Sequence, residues 1–449
     1  MKTLAVISLG CDKNRVDTEK MLGNLSRGSF SIVPENQAEI IIINTCAFVE
    51  SARREAVDTI LSCAEYKKDK CEKLIVTGCL PQKHRDELKA ELPEVDAFLG
   101  VNDYGKTLEI IEELYSGGVS GKELHKDLPN NADVKPQADK NVRVLTTPGH
   151  YAYLKIADGC DNKCTFCTIP SIRGAYKSES IEALVAEATV LVDMGVKELI
   201  LVAQDVTNYG MELYSRRRLV DLIRALSQTK AEWIRLMYCY PESIDDALIN
   251  EIKTNPKVVK YLDMPLQHVD DKILRLMARR GTNQQIKDLF RRLKKEIPDL
   301  ALRTTLMTGF PSEGDAEFDN LALFLREHKL THAGFFAFSP EQGTPAAKLS
   351  GRVNKSISAA RLRALAQIQK QNVLEFNQSQ VGKTVKVLYE GIDFDKNLFF
   401  GRAYFSAPEI DTLVYFKSDT VVEVGEFYDV VITKVKGYDL VGKAAGVSV

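Results

Sequence analysis

The sequence predicts an α/β protein with two successive series of strands and helices, followed by a small all-β barrel. In the first series, short and nearly continuous apolar runs, such as Ile40 to Ile43, alternate with helical patterns, which is typical of buried parallel strands. The central series repeats this alternation six times, as expected for a partial (βα)6 barrel. From about Gln380 onward the chain is rich in Val, Phe and Tyr and is punctuated by glycines, which is typical of a small barrel.

Composition and charge exclude several classes of protein. The chain has 449 residues, of which 45% are hydrophobic and 27% charged, with a net charge of -2. Its length predicts about three globular domains of roughly 150 residues each. Its net charge excludes an overall positive surface of the kind that attracts nucleic acid. No apolar run approaches the roughly 18 residues that span a bilayer. The amino-terminal run, Met1 to Cys11, is interpreted as a strand and not as a signal peptide.

Cysteine usage indicates a reducing compartment. Nine cysteines, an odd number, are spread over the chain, which favours reduced, metal-binding thiols over a disulfide framework. We therefore expect a cytoplasmic protein. The carboxylates and the six histidines present no nucleophile-base arrangement, so we expect cofactors to carry the chemistry.

Domain boundaries are predicted from changes in composition. The first domain covers 1–116, a polar linker rich in Gly, Pro and Asn covers 117–145, the central domain covers 146–378, and the barrel covers 379–449. A long helical pattern, Ser356 to Asn377, ends the central domain. Six apolar runs predict the central strands: Tyr151 to Ala157, Glu198 to Ala203, Trp233 to Cys239, Val258 to Met264, Leu302 to Met307 and Ala333 to Phe338.

Three apolar runs of the first domain share one design, since each ends in a small polar residue and a cysteine. They are Leu4 to Cys11, Glu39 to Cys46 and Lys73 to Cys79. Ligand sites of open parallel sheets lie just beyond the carboxyl ends of the strands. We therefore expect the three thiols to converge on one site. The alternative is that these cysteines are small, buried residues that close their strands.

A second group of cysteines follows the first central strand, in the pattern Cys160-x-x-x-Cys164-x-x-Cys167. A structural zinc site normally has four protein ligands, whereas a 4Fe-4S cluster is held by thiolates at its corners. With three thiolates, one iron lacks a protein ligand and is open to a small molecule. A zinc site completed by a distant residue and a purely electron-carrying cluster remain as alternatives.

This pattern, with Phe166 before the last cysteine and a six-unit barrel around it, resembles the radical S-adenosylmethionine enzymes. The resemblance implies that S-adenosylmethionine binds the open iron. It also implies that Gln204 and Asp205, after the second central strand, contact the methionine amino group, although ordinary loop capping explains them as well. The segment Met307 to Pro311 then lies near the adenine, although Gly309 is equally explained by backbone conformation.

When Cys11, Cys46 and Cys79 are included, the resemblance becomes specific for one group of these radical enzymes. A three-cysteine α/β domain, a radical barrel and a terminal TRAM-like barrel together resemble the methylthiotransferases over essentially the whole chain. Cys11, Cys46 and Cys79 are then implied to hold a second 4Fe-4S cluster. Cys63, Cys71 and Cys239 belong to neither group, and we expect structural roles for them.

Several motifs are similar to the branch that modifies an aspartate of small-subunit ribosomal protein S twelve. The motifs are Ser8 to Glu19, Leu266 to His268, Phe338 to Thr344, Gly401-Arg402 and Ala407 to Asp411. Asp12 departs from the proline that is usual in that branch. From Gln378 to Val449 the chain has eight Lys or Arg and ten Asp or Glu, which suits a basic protein partner better than RNA.

This resemblance implies an enzyme that inserts a methylthio group at the β-carbon of the aspartate. Its implied partners are the ribosomal protein and an external electron donor, with no membrane; the barrel charge does not favour a nucleic-acid substrate. Two alternatives remain open. One is the same chemistry on an adenosine of transfer RNA, and the other is a non-catalytic, metal-dependent binding module.

Overall fold

The structure, a computed structural model, describes residues 1–116 and 143–445. They form two compact units. Of the described residues, the first unit contains 1–116, 143–146, 158–161 and 168–176, and the second contains 147–157, 162–167 and 177–445. The predicted linker, 117–145, falls mainly on residues 117–142, which lie outside the described residues.

A parallel five-stranded sheet forms the centre of the first unit, with the strand order β2-β1-β3-β4-β5. Its strands are β1 (Lys2–Ser8), β2 (Phe30–Ile32), β3 (Ile40–Thr45), β4 (Lys73–Gly78) and β5 (Ala97–Leu99). The helices of this unit are α1 (Asp12–Leu25), α2 (Glu50–Ala64), α3 (Cys79–Glu91), α4 (Thr107–Ser116) and α5 (Ile169–Arg173). The predicted runs before Cys11, Cys46 and Cys79 are therefore strands β1, β3 and β4.

Strand β3 shows why its first four positions are all apolar. All six of its residues are buried. Ile41 and Ile43 pack in one hydrophobic cluster with Ile60, whereas Ile40 and Ile42 pack in another. Successive side chains of a strand point to opposite faces of the sheet, so a strand covered on both faces reads as a continuous apolar run.

The second unit contains a six-stranded parallel sheet with the order β13-β12-β11-β10-β9-β6. This is the predicted partial (βα)6 arrangement. The six strands of this sheet are β6 (Tyr151–Lys155), β9 (Glu198–Val202), β10 (Trp233–Leu236), β11 (Val258–Asp263), β12 (Ala301–Thr308) and β13 (His332–Ala337). The short strands β7 (Ala157–Asp158) and β8 (Lys177–Ser178) do not belong to it. Helices α6 to α13 are Ile181–Asp193, Met211–Tyr214, Leu219–Leu226, Asp246–Thr254, Asp271–Leu276, Asn283–Glu296, Asp315–His328 and Lys355–Gln380.

A closed five-stranded barrel ends the second unit, in the order β14-β15-β16-β18-β17. Its strands β14 to β18 are Thr384–Asp393, Leu398–Ala403, Val414–Lys417, Phe427–Lys436 and Asp439–Ala444. A fully buried ion network ties the barrel to the six-stranded sheet: Glu198 of β9 binds Arg235 of β10 at 2.6 Å and Arg402 of β15 at 2.7 Å. Within the described ranges, no helix combines the length and the apolar character that crossing a membrane requires.

Candidate functional site

The first triad, Cys11, Cys46 and Cys79, lies at the carboxyl edge of the five-stranded sheet. The parallel register pairs Ser8 with Asn44 and Thr45 with Gly78, so the three strands end at the same edge. Cys46 and Cys79 are buried, whereas Cys11 is exposed. The predicted convergence of the strand ends is therefore present in the fold.

Two glycines allow the chain to turn tightly beside these thiols. Gly10 and Gly78 have φ angles of +91° and +100°, a region that favours glycine. A Cβ atom on Gly10 would lie 2.6 Å from the Cβ of Cys46, and one on Gly78 would lie 2.3 Å from Oδ1 of Asn44. Neither position has room for a side chain.

Asn14, in the first turn of α1, connects the segments that carry the three thiols. Its Nδ2 donates to the carbonyl oxygens of Leu9 at 3.0 Å and of Thr45 at 2.9 Å, residues that precede Cys11 and Cys46. Its Oδ1 lies 3.6 Å from Sγ of Cys79. One fully buried amide therefore fixes the backbone or the sulfur at all three positions.

Burial affects the protonation of two thiols in this triad, Cys46 and Cys79. It raises the pKa of the Cys46 thiol and raises that of Cys79 to about 12, and in both cases the nearby Arg173 guanidinium opposes the change. These thiols are therefore protonated at neutral pH until a metal displaces the proton, as thiolate ligands require.

The donor set of the first triad, three cysteine thiols, is chemically compatible with the thiolate ligands of a 4Fe-4S cluster. Among the residues that the structure describes, no three His, Cys, Asp or Glu side chains are placed to coordinate one metal ion. A 4Fe-4S cluster instead binds each thiolate on a different iron atom, which suits three thiols at three separate strand ends.

The second triad, Cys160, Cys164 and Cys167, lies in the loop between β7 and α5. In the first unit, the Cys160 N–H donates to the carbonyl of Gly174 at 3.1 Å. A Cβ atom on Gly159 would lie 2.1 Å from the carbonyl oxygen of Ala175. In the second unit, the Cys167 N–H donates to the carbonyl of Cys164 at 3.1 Å, which closes a tight turn.

Two side chains lie close to the Cys164 sulfur, and no sequence motif predicts either of them. Sγ of Cys164 lies 3.2 Å from the Tyr240 hydroxyl and 3.9 Å from Nη1 of Arg279. The Arg279 guanidinium also stacks on the Tyr240 ring, 4.1 Å from its centroid. A positive charge and a hydroxyl beside a thiol stabilise negative charge on sulfur.

A cavity of about 260 Å³ opens beside Cys164. Its lining residues are mostly polar or basic: Asn162, Lys163, Cys164, Tyr240, Ala278, Arg279 and Arg280. This volume lies close to the lower end of the roughly 300 to 1,000 Å³ typical of small-molecule sites.

The three predicted cofactor contacts occupy different places. Asp205 is buried and accepts a hydrogen bond from Nδ2 of the cavity residue Asn162 at 2.9 Å. Gln204 follows β9 but does not line the cavity. The ring of Phe166 packs against that of Phe310 at 6.4 Å, within the predicted adenine segment. The cofactor roles of these residues stay predictions.

Sequence reasoning missed Arg173, whose guanidinium lies 3.8 Å from Sγ of Cys79. It also gave Asn14 no role beyond membership in a motif. Glycines were a usable signal, since Gly10, Gly78 and Gly159 directly precede Cys11, Cys79 and Cys160. No comparable signal marks Arg173.

Three segments match known families. Residues 154–325 match the radical SAM superfamily, residues 3–100 match the uncharacterized protein family UPF0004, and residues 381–445 match the TRAM domain. Together with the observed sheets and barrel, these matches confirm the predicted fold class.

Curated relatives resemble this chain over nearly its whole length. The ribosomal protein uS12 methylthiotransferase RimO of Acetivibrio thermocellus is 46% identical over 98% of this chain and 98% of its own. The protein of the same name from a Thermoanaerobacter species is 44% identical over 99% of this chain and 100% of its own.

Two solved structures have a similar fold. The radical S-adenosylmethionine methyltransferase TsrM from Kitasatospora setae has a TM-score of 0.57 at 12% identity, covering 77% of this chain and 73% of that chain. The cobalamin-dependent S-adenosylmethionine radical enzyme OxsB has a TM-score of 0.52 at 13% identity, and the match covers 82% of this chain and 56% of that chain. At this low identity, the likeness concerns the fold alone.

Proposed function

We propose that this chain, which belongs to the ribosomal protein uS12 methylthiotransferase family, inserts a methylthio group at the β-carbon of an aspartate of uS12. The observation that carries this proposal is the presence of two separate cysteine triads, one at each of two parallel-sheet systems. The names of the full-length relatives support the substrate. Each triad would supply three thiolate ligands to a 4Fe-4S cluster, which would leave one iron open to a small molecule.

The second triad would hold the cluster that binds S-adenosylmethionine. When bound there, the cluster and this cofactor supply the radical that removes a hydrogen atom from an unactivated carbon. Tyr240 and Arg279 orient the Cys164 sulfur and balance its charge. The adjoining cavity would receive part of the cofactor, and Asp205 orients its lining residue Asn162. Gln204 and Phe166 complete the cofactor contacts in this proposal.

The first triad would hold a second 4Fe-4S cluster. When bound there, it would present a sulfur species for methylation and for delivery to the carbon. Asn14 keeps the segments of Cys11, Cys46 and Cys79 at fixed positions. Loading releases protons from the buried thiols of Cys46 and Cys79, so their burial couples metal binding to proton release.

The proposed domains follow the predicted boundaries, with the cluster domain at 1–116, the linker at 117–145, the radical domain at 146–378 and the TRAM-like barrel at 379–449. The barrel, with its slight acidic excess, suits contact with a basic ribosomal protein better than contact with RNA. An external donor would supply electrons, and the reaction would take place in the cytoplasm, away from any membrane.

One experiment separates this function from its alternatives. The chain, reconstituted with iron and sulfide, is incubated with S-adenosylmethionine and a reductant, and with either uS12 or unmodified transfer RNA. Mass spectrometry should find a methylthio group on the aspartate of uS12 alone. A product on transfer RNA alone would contradict the proposed substrate, and about zero irons per chain instead of about eight would point to a binding module.

A further inference from the structure

The buried side chain of Arg173, at the end of α5, joins three distant parts of the first unit. Its Nη1 donates to Asp17 at 3.0 Å and to Asp158 at 2.7 Å. Its Nη2 donates to Oδ1 of Asn14 at 2.6 Å and lies 3.8 Å from Sγ of Cys79. Only 2% of this side chain is exposed.

These contacts connect the two cysteine groups through one guanidinium. Asp158 lies two positions before Cys160 in the chain, and Gly159 between them has no room for a Cβ atom. On the other side, Asn14 and Cys79 belong to the first triad and its support. A displacement of Arg173 is therefore expected to move Cys160 relative to Cys79, because the guanidinium binds the Asp158 carboxylate on one side and the Asn14 amide beside Cys79 on the other.

Electrostatics makes this arrangement depend on the arginine. Asp17 and Asp158 both approach the same Nη1 atom, so without the guanidinium two carboxylates would face each other in a largely buried site. Two negatively charged carboxylates that are close together repel each other. Asp17 is buried, whereas the Asp158 side chain is 27% exposed. The segment of Asp158 and Cys160 is therefore the part that would move away.

We propose that Arg173 is a positioning residue that sets the place of Cys160 relative to the first triad. The proposal rests on the proposed function, in which sulfur from the first triad must reach a carbon activated at the second. Radical formation needs only the second triad. Sulfur insertion needs the two triads at a fixed distance from each other. A misplacement of about 1 Å lowers the rate of such steps on the order of 100-fold.

The test compares Arg173→Lys and Arg173→Gln with the unaltered chain. Lysine keeps the charge but has no planar fork for four partners, and glutamine removes the charge. The matched controls are Arg143→Lys and Arg143→Gln, because Arg143 is also buried and its Nε donates to Glu19 of the same helix α1 at 2.7 Å. Thermal unfolding and iron content are measured first for every variant.

Two readouts then decide the matter. The first is methylthio product formed on uS12 per 5'-deoxyadenosine released, which should fall by roughly 100-fold in the Arg173 variants and stay unchanged in the Arg143 variants. The second is the magnetic interaction between the two reduced clusters in electron paramagnetic resonance, which should weaken in the Arg173 variants alone. This second readout needs no substrate.

The two readouts distinguish a failure of the proposed function from a failure of the role proposed for Arg173. If the unaltered chain forms no product on uS12, the proposed function fails, and the magnetic interaction still tests the position of Cys160. An unchanged interaction in Arg173→Gln would overturn the role of Arg173, and so would equal effects in the Arg143 variants. Failure of both Arg173 variants to fold would also overturn it, since Arg173 would then serve folding.

Discussion

Oδ1 of Asn14 lies 3.6 Å from Sγ of Cys79, although 65 positions separate the two residues. The same amide donates to the carbonyl oxygens of Leu9 and Thr45. One side chain therefore sets the spacing of the first triad, and the chemistry assigned to that triad depends on an amide that binds no iron itself.

Replacing this amide should empty the first triad selectively. Asn14→Asp keeps the size of the side chain but turns a donor toward two carbonyl oxygens into an acceptor. We expect the iron content to fall from about eight to about four atoms per chain, with cofactor cleavage retained. Asn24→Asp on the same helix is the control and should keep its iron. Full iron content in Asn14→Asp would contradict the role of the amide.

The two triads should be separable by single cysteine changes. Cys160→Ala removes a ligand of the second triad and should abolish the release of 5'-deoxyadenosine. Cys46→Ala should leave that release measurable while product on uS12 disappears. Chromatographic assay of both compounds checks this, together with circular dichroism to confirm folding. Equal loss of cleavage in two folded variants would disprove the division of work.

Gly10 should tolerate no side chain. In Gly10→Ala the new Cβ atom would meet Cys46 at 2.6 Å, whereas Gly437 has a positive φ of +65° and nothing within 4 Å of the new atom. Gly437→Ala therefore measures the cost of the backbone conformation alone. We expect Gly10→Ala to lower the free energy of unfolding by about 1–3 kcal/mol more than this control. Denaturant titration would show the difference, and equal costs would refute the steric argument.

The Tyr240 hydroxyl should tune the second triad. Tyr240→Phe removes the group 3.2 Å from Sγ of Cys164, and hydrogen bonds to ligand sulfur stabilise the reduced state of a cluster. We expect a more negative reduction potential and cofactor cleavage about 10-fold slower, since a hydrogen bond to a charged group contributes roughly 1.5–3 kcal/mol. Redox titration checks the potential. Tyr404→Phe loses only a bond to the Asp299 carbonyl and should change neither value.

Stability should depend on His328 in mildly acidic solution. Burial, with a contribution from Lys294, lowers the pKa of His328 to about 4 from its ordinary value of 6.5. Below pH 6.5 the unfolded chain therefore binds a proton that the folded chain excludes, so stability falls as the pH drops from about 6.5 to about 4. The loss is at most about 3.5 kcal/mol, since one pKa unit corresponds to about 1.4 kcal/mol. His328→Gln should flatten this part of the stability curve, as measured by urea unfolding, and an unchanged slope would count against it.

Apolar periodicity was sufficient to predict the sheets. The run Trp233 to Cys239 became strand Trp233–Leu236, and the helical pattern Ser356 to Asn377 became helix Lys355–Gln380. Short edge strands escaped prediction, because Phe30–Ile32 has only three residues and carries too little pattern to be distinguished from a loop.

The site was predictable only as far as strand ends could indicate it. Parallel strands bring their following residues to one edge, so the convergence of Cys11, Cys46 and Cys79 follows from the pattern. Contacts between side chains distant in the chain do not. Tyr240 is 76 positions from Cys164, and no local spacing indicates that the two residues meet.

The unequal exposure of the three thiols in the first triad determines which of them reagents in solvent reach first. Cys46 and Cys79 are covered, whereas Cys11 faces solvent. In the proposed function, iron and sulfide that load this triad would enter from the side of Cys11, and an oxidant from solvent would reach that thiol first. Among the three thiols of this triad, Cys11 would therefore be the first that solvent oxidants modify.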